Sequence, residues 1–420
     1  MLELVRKALE QLGGIEAFVK PGETVLIKPN QAVARLAEEG CTADPLVVGA
    51  LIRMARNAGA VKIQVAASSE GFLNSIEVMK YTGVAAMAAQ EGAEIIDLGS
   101  DSTPSRAVDL PEGKVLGQVP VPVPLLETDV IIAVPKAKTD YLDLISGAIE
   151  FSMGTINQKW REQNLGDHDT VERFADVMAA VRPDLCVTDA LICGEGDGPA
   201  ANVPRWCGCI LASADFVATD VSMAGLLGRD WRKLHFAAAC EQRGLGSREP
   251  IVWLGTSLHR VAVQAWPGHE GFQHLPVNVL VGGGVTLSGT IGHVKSALDT
   301  LLLRGVLDRV ISTKGTPTIM IGDIADPEYE KHIAEGPYVV FDDAVRPEYR
   351  NDARIFFVPG HPVLSTAAAE LMKGLGVESG REHPGFRSIR SALGVAVGSA
   401  GFAALAAGAM LGMKLAAKRD

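Results

Sequence analysis

One unit recurs along the first half of the chain and limits what it can fold into. A short run of aliphatic, largely β-branched residues ends in a polar or glycine-rich turn, and a stretch with helical spacing of apolar residues comes next. Such runs are Thr24–Lys28, closing in Pro29-Asn30; Val61–Val65, closing in Ser68-Ser69-Glu70-Gly71; Glu94–Asp97; Val130–Val134; and Leu185–Asp189, before Cys193-Gly-Glu-Gly-Asp-Gly-Pro199. Between the first two, Asp44 suits a helix N-cap and Pro45 the first helical position. Val47, Val48, Leu51, Ile52 and Met54 then recur at helical spacing. Strands that alternate with helices pair in parallel, and the crossing helices cover both faces of the sheet. The pattern predicts an α/β fold with a largely parallel sheet. The N-terminal segment MLELVRKALEQLGG reads as an amphipathic helix without the apolar core of a signal peptide.

A Gly-, Ser- and charge-rich break at Arg243–Pro250 separates a second series of strands: Val277–Val281, Thr318–Gly322, Tyr338–Phe341 and Arg354–Val358. Helices are expected at 291–304, 327–334 and 364–375. This gives a first α/β domain over residues 1–242 and a second, smaller α/β region over 250–385. A third element is expected at 391–414. Ala392–Met413 contains 22 residues without a charge, thirteen of them Ala or Gly, between Arg387 and Arg390 on one side and Lys414, Lys418 and Arg419 on the other. At about 1.5 Å per residue such a helix spans roughly 33 Å, close to the hydrocarbon thickness of a bilayer. Gly394-x-x-x-Gly398 and Gly408-x-x-x-Gly412 allow close helix–helix approach there. The expectation is a cytoplasmic body anchored by a C-terminal transmembrane helix, which also offers a surface for a partner helix or a second copy.

A formal charge of −11 and the lack of any basic run argue against nucleic acid as a partner. The six cysteines, at 41, 186, 193, 207, 209 and 240, form no C-x-x-C. They write no zinc ribbon and no iron–sulfur motif, and their scatter fits a reducing compartment. Cys207-Gly-Cys209 is the closest pair.

Ligands of parallel α/β sheets bind beyond the carboxyl ends of the strands. Those ends carry Lys28 and Asn30; Ser68, Ser69 and Glu70; Lys136, Lys138 and Thr139; and Asp189, Glu195 and Asp197. Lysine ammoniums at one sheet edge suit a small anion, and Asp189 with Glu195 would offer oxygen ligands to a divalent cation. Glycines 194, 196 and 198 would let backbone N–H groups approach the ligand. The expected ligand site is therefore Lys28, Asn30, Ser68, Lys136, Lys138, Thr139, Asp189 and Glu195. His168, Gly282-Gly-Gly284 and His361 are weaker candidates, because none has a completed motif around it.

Five blocks occur in order between Val25 and Gly228: VLIKPN, ADPLVVGALIRMARNAGA, VPKAKTD…SGAIEFSMGTI, RPDLCVTDALICGEGDGP and LASADFVATDVSMAGLLG. The series resembles the domain of unknown function 362 family of bacteria and archaea. The resemblance implies this fold and a redox context, with no established reaction. Some relatives carry a ferredoxin-like segment whose cysteine spacing is missing here. The family usually has His where this chain has Asp140, and Lys-Asn where it has Glu150-Phe151. Two functions are expected: a small-anion-binding protein, with enzymatic activity in redox metabolism as its extension, or a non-catalytic, membrane-tethered accessory protein of a redox complex.

Overall fold

The computed structural model describes residues 1–377 apart from 71–72, 165–168, 270, 283–289, 324–335, 342–344, 346 and 361–363. His168, Gly283-Gly284, the helix expected at 327–334, His361 and the whole of 391–414 lie outside the described residues. Among the described residues no helix is long and apolar enough to cross a membrane.

The recurring unit produces an eight-stranded sheet. Its strands are β1 (Thr24–Pro29), β2 (Lys62–Ala67), β3 (Glu94–Asp97), β6 (Val130–Val134), β7 (Lys136–Asp140), β8 (Leu144–Ser146), β9 (Leu185–Asp197) and β10 (Ala201–Ser213). β4 (Ser105–Asp109) and β5 (Gln118–Pro122) form a separate antiparallel hairpin. The order in the large sheet is β3-β2-β1-β6-β9-β7-β8, with β10 antiparallel on β9. The pairs β3–β2, β2–β1, β1–β6, β6–β9 and β9–β7 are parallel, as the alternation of strand and helix requires.

Apolar helices cover both faces. Pro45–Asn57 buries Val47, Val48, Leu51 and Ile52 with β1 and β2 on one face. Asp44 caps it, its carboxylate accepting from the Leu46 N–H at 2.8 Å, an arrangement that stabilises a helix by about 1 kcal/mol. Thr170–Ala180, Phe216–Leu226 and His235–Gln242 cover the other face, where Phe174 and Phe236 stack with ring centroids 4.5 Å apart.

The second series forms a four-stranded parallel sheet: β11 (Asn278–Val281), β12 (Thr318–Ile321), β13 (Tyr338–Phe341) and β14 (Phe356–Val358). Helices Gly292–Leu303 and Leu364–Gly374 pack on it around a separate apolar cluster containing Val294, Leu298 and Leu371. Both sheets belong to one compact unit, Met1–Ser379.

Two stretches that read as ligand loops are strands instead. Lys136–Asp140 continues past Pro135 as β7, and Cys193–Asp197 is the second half of β9. The polar residues concealed the strands because their side chains are satisfied by protein groups. The glycine at 194 serves packing: a Cβ there would lie 2.5 Å from the Gly40 carbonyl oxygen and 2.8 Å from the Lys138 Cβ. Its role is close approach of β7 and the Gly40 turn, not of a ligand.

Candidate functional site

The local topology creates an opening. β1 and β6 run in register as far as Pro29 and Val134, and the Asn30 N–H donates to the Val134 carbonyl at 2.9 Å. Beyond Pro135 the chain stays beside β9, pairing Lys136 with Asp189 and Lys138 with Gly194, whereas β1 has ended. A cleft enclosing ≈ 890 Å³, part of it open solvent, lies at this fork. Lys28, Asn30, Ser68 and Glu70 line it from the tips of β1 and β2, and Lys138 and Tyr141 from β7 and the turn after it. Glu150, Phe151 and Gly154 line it from the turn after β8 and Arg161 from the next helix, while His293 reaches it from the second α/β region. Tyr141 and His293 meet edge-on at 6.4 Å between ring centroids, so the second region helps to close the cleft.

Of the residues expected to share a ligand, four do line this space: Lys28, Asn30, Ser68 and Lys138. The other four do not. Lys136 forms an ion pair with Asp189 at 2.8 Å and donates to the Ala37 carbonyl at 3.2 Å, with side chains only 1% and 0% exposed. Asp189 also accepts from the Asp44 and Leu191 N–H groups. This buried pair ties β7, β9 and the 37–44 segment together. Thr139 donates to the Gly196 carbonyl at 2.8 Å. Glu195 accepts from the Trp266 N–H at 3.0 Å.

Among the described residues no cation-ligand set converges on Asp189 and Glu195; the converging set is Asp197, His269 and His274, with ligand atoms within 4.8 Å of one another. There the two imidazoles stack face to face at 3.7 Å, and the Lys295 ammonium already bridges Asp197 and Asp299. A metal would have to displace that ammonium and rotate a ring.

Within the cleft, Lys28 has an unusual environment. It is 6% exposed, and among the described residues its ammonium has no carboxylate or carbonyl partner. It sits 4.6 Å from the centroid of the Phe151 ring, a contact that offsets only part of the desolvation of a charge. A Cβ at Gly154 would be 2.4 Å from Nζ, so only glycine leaves room for the amine here. Burial, reinforced by the nearby Arg161 charge, lowers Lys28 to about 7. Lys138, by contrast, donates to the Pro199 carbonyl at 2.9 Å. Arg161 is held by the Met153 and Ser69 carbonyls at 2.5 and 2.8 Å.

The carboxyls move the other way. Burial and then the neighbouring Asp140 push Glu150 well above the usual carboxylate range; one of its oxygens contacts the Ser146 hydroxyl and the other has no hydrogen-bond partner. Burial raises Asp140 to about 6, and one of its oxygens is likewise unpartnered. Behind the cleft, Asp220 accepts from the Ala148 and Ile149 N–H groups and fixes the turn that carries Glu150. Burial raises Asp220 to about 7.

Strand-tip reasoning missed Arg161, Tyr141 and His293 as members of this site. Glu150 and Phe151 carried a signal, since they replace the family's usual Lys-Asn. Elsewhere, Cys207-Gly-Cys209 gains a third sulfur: Cys207 Sγ lies 3.6 Å from Cys209 Sγ, and Cys193 also hydrogen-bonds to it. These contacts gather at the irregular pairing between Trp206 and Cys209.

The fold and cleft define an α/β protein with a small, mixed-charge cleft where a parallel sheet forks. Residues 25–225, just under half of the chain, match the domain of unknown function DUF362. The chain is also similar to a thylakoid-associated protein of Synechocystis, with 27% identity over 254 residues, 58% of this chain and 75% of that protein. Among solved structures it aligns with the lactate racemase apoprotein of Thermoanaerobacterium thermosaccharolyticum over 89% of this chain and 88% of that one, at 12% identity and a TM-score of 0.35. It also aligns with a Thermotoga maritima protein over 79% and 75%, at 14% identity and a TM-score of 0.34. At that level of superposition neither structure carries an argument about this chain's chemistry.

Proposed function

We propose that the cleft at the fork binds a small anion. The observation that carries this reading is Lys28: a buried ammonium with no counter-ion among the described residues, facing a cleft also lined by Lys138 and Arg161. An isolated buried charge costs several kcal/mol, and a bound anion is the partner that would offset it. Burial raises both Tyr141 and Glu150 well above their usual ranges, which favours the protonated forms that can donate to a carboxylate or phosphate oxygen. A divalent cation would have to enter with the anion, because Asp189 is committed to Lys136. Isothermal titration of acetate, pyruvate and inorganic phosphate into the purified protein tests the proposal. Binding should weaken at least tenfold in Lys28→Met. Equal affinity in the variant would rule the cleft out as the site.

A second reading, a non-catalytic accessory protein held at a membrane, is favoured by the similarity to a thylakoid-associated protein and by the uncharged stretch 392–413. On this reading the tail packs against a partner helix through its Gly-x-x-x-Gly spacings. Fractionation decides it: the full chain should sediment with membranes and a chain lacking residues 391–420 should not. A full-length protein that stays in the soluble fraction without detergent would refute the anchor.

A further inference from the structure

The cleft holds an amine and a carboxyl group that are both buried and are not paired with each other. Lys28 has no acidic partner among the described residues, and Glu150 hydrogen-bonds to Ser146. Two such groups at one cleft would normally form an ion pair if their task were structural, as Lys136 and Asp189 do nearby. Lys138, the other lysine of the cleft, is tied to the Pro199 carbonyl. Lys28 lines the cleft with no such carbonyl tie, and its nitrogen occupies the space that a side chain at Gly154 would take.

We infer that Lys28 forms an imine with the carbonyl group of a small 2-oxo acid whose carboxylate is held by the Arg161 side of the cleft. This chemistry rests on the cleft being an anion site and names the class of substrate it would take. An anion alone would need only charge, which Lys138 and Arg161 supply. A nucleophilic amine needs a lysine with a substantial uncharged fraction at neutral pH, and burial beside a second cation is the environment that produces one.

In the first step the Lys28 nitrogen lone pair attacks the carbonyl carbon. A C–N bond forms, and a proton passes from nitrogen to the former carbonyl oxygen, giving a carbinolamine. In the second step the nitrogen lone pair expels that hydroxyl group as the Glu150 carboxyl protonates it. The C–O bond breaks, water leaves, and a cationic C=N group remains beside the Glu150 carboxylate. The sum is amine plus carbonyl giving imine plus water, with no oxidant or reductant. Glu150 is suited to this step because burial raises it well above the usual carboxylate range and one of its oxygens is unpartnered.

Borohydride reduction converts the imine into a stable secondary amine, which peptide mass mapping locates. The full-length protein is incubated with pyruvate or glyoxylate at neutral pH, reduced and digested. The expected result is a stoichiometric adduct on the peptide carrying Lys28, absent from Lys28→Arg and Lys28→Met. In Glu150→Gln the adduct should form roughly 10²-fold more slowly, the lower range for loss of a general acid. Parallel titrations with acetate and phosphate keep the two ideas separate. Calorimetric binding of the 2-oxo acid without an adduct at Lys28 would overturn the imine and leave the anion site standing. Binding of acetate or phosphate but neither 2-oxo acid would overturn the substrate class. Failure of every anion to bind would overturn both readings.

Discussion

A lysine buried without a partner should cost the folded protein stability, and Lys28→Met measures that cost. The unfolded chain holds the lysine proton up to about pH 10.4. The folded chain releases it near 7, because burial and the Arg161 charge disfavour the ammonium. Between these values the unfolded state binds more protons, so stability rises with pH. The penalty is fully present below pH 7 and fades as the pH approaches 10. At about 1.4 kcal/mol for each pH unit between the two values, the electrostatic cost at pH 7 is about 4 kcal/mol. Methionine keeps most of the aliphatic stem against Phe151 and removes the charge. The variant should therefore be more stable than the wild type by about 2–4 kcal/mol at pH 7, with the lower figure allowing for solvent in the cleft. Urea midpoints at pH 6, 7.5 and 9.5 give the comparison, and the gap should narrow across the last two. A variant less stable than the wild type at pH 7, or a gap independent of pH, would show that Lys28 is paired in the folded state. A residue that destabilises the fold while facing a cleft is accounted for by binding or chemistry, not by packing.

Lys136→Met should behave in the opposite way, because it strands the fully buried Asp189 carboxylate. A loss of about 3–5 kcal/mol is expected, toward the lower end since two backbone N–H donors remain on Asp189. Denaturant unfolding checks it, and a stability unchanged within about 0.5 kcal/mol would remove the ion pair from the framework. Cys207 should be alkylated by iodoacetamide well before the other thiols at pH 6, because hydrogen bonds from Cys193 and Cys209 hold it low enough to be a thiolate. Mass mapping of a time course would contradict this if Cys207 reacted no faster than the buried Cys186.

The parallel sheet was legible because its strands are apolar runs of even length spaced by amphipathic helices. From that alone the tips of β1, β2 and β6 locate Lys28, Ser68 and Lys138. Sequence could not separate Lys136 from Lys138: they stand two residues apart on one strand, and only the position of Asp189 and the Pro199 carbonyl distinguishes their tasks. β10 gave no strand signal, since Pro204-Arg-Trp-Cys207 lacks alternation and the pairing is irregular there. Glu195 looked like a loop residue because glycines flank it, yet Gly194 is small so that β7 can approach. Arg161 and His293 were invisible for a different reason. Each joins the cleft only through tertiary packing, Arg161 from a short polar helix and His293 from a helix more than a hundred residues downstream of β9's partner strand β7.

Difference electron density from a crystal soaked in pyruvate, compared with an unsoaked one, tests the central claim most directly. The account predicts new density in the fork between β1 and β7, facing Arg161 or Lys138, in contact with Lys28 Nζ and continuous with it where the imine has formed. An unchanged cleft, with the Lys28 ammonium instead bonded to Glu70 or Glu150 in both crystals, would contradict it.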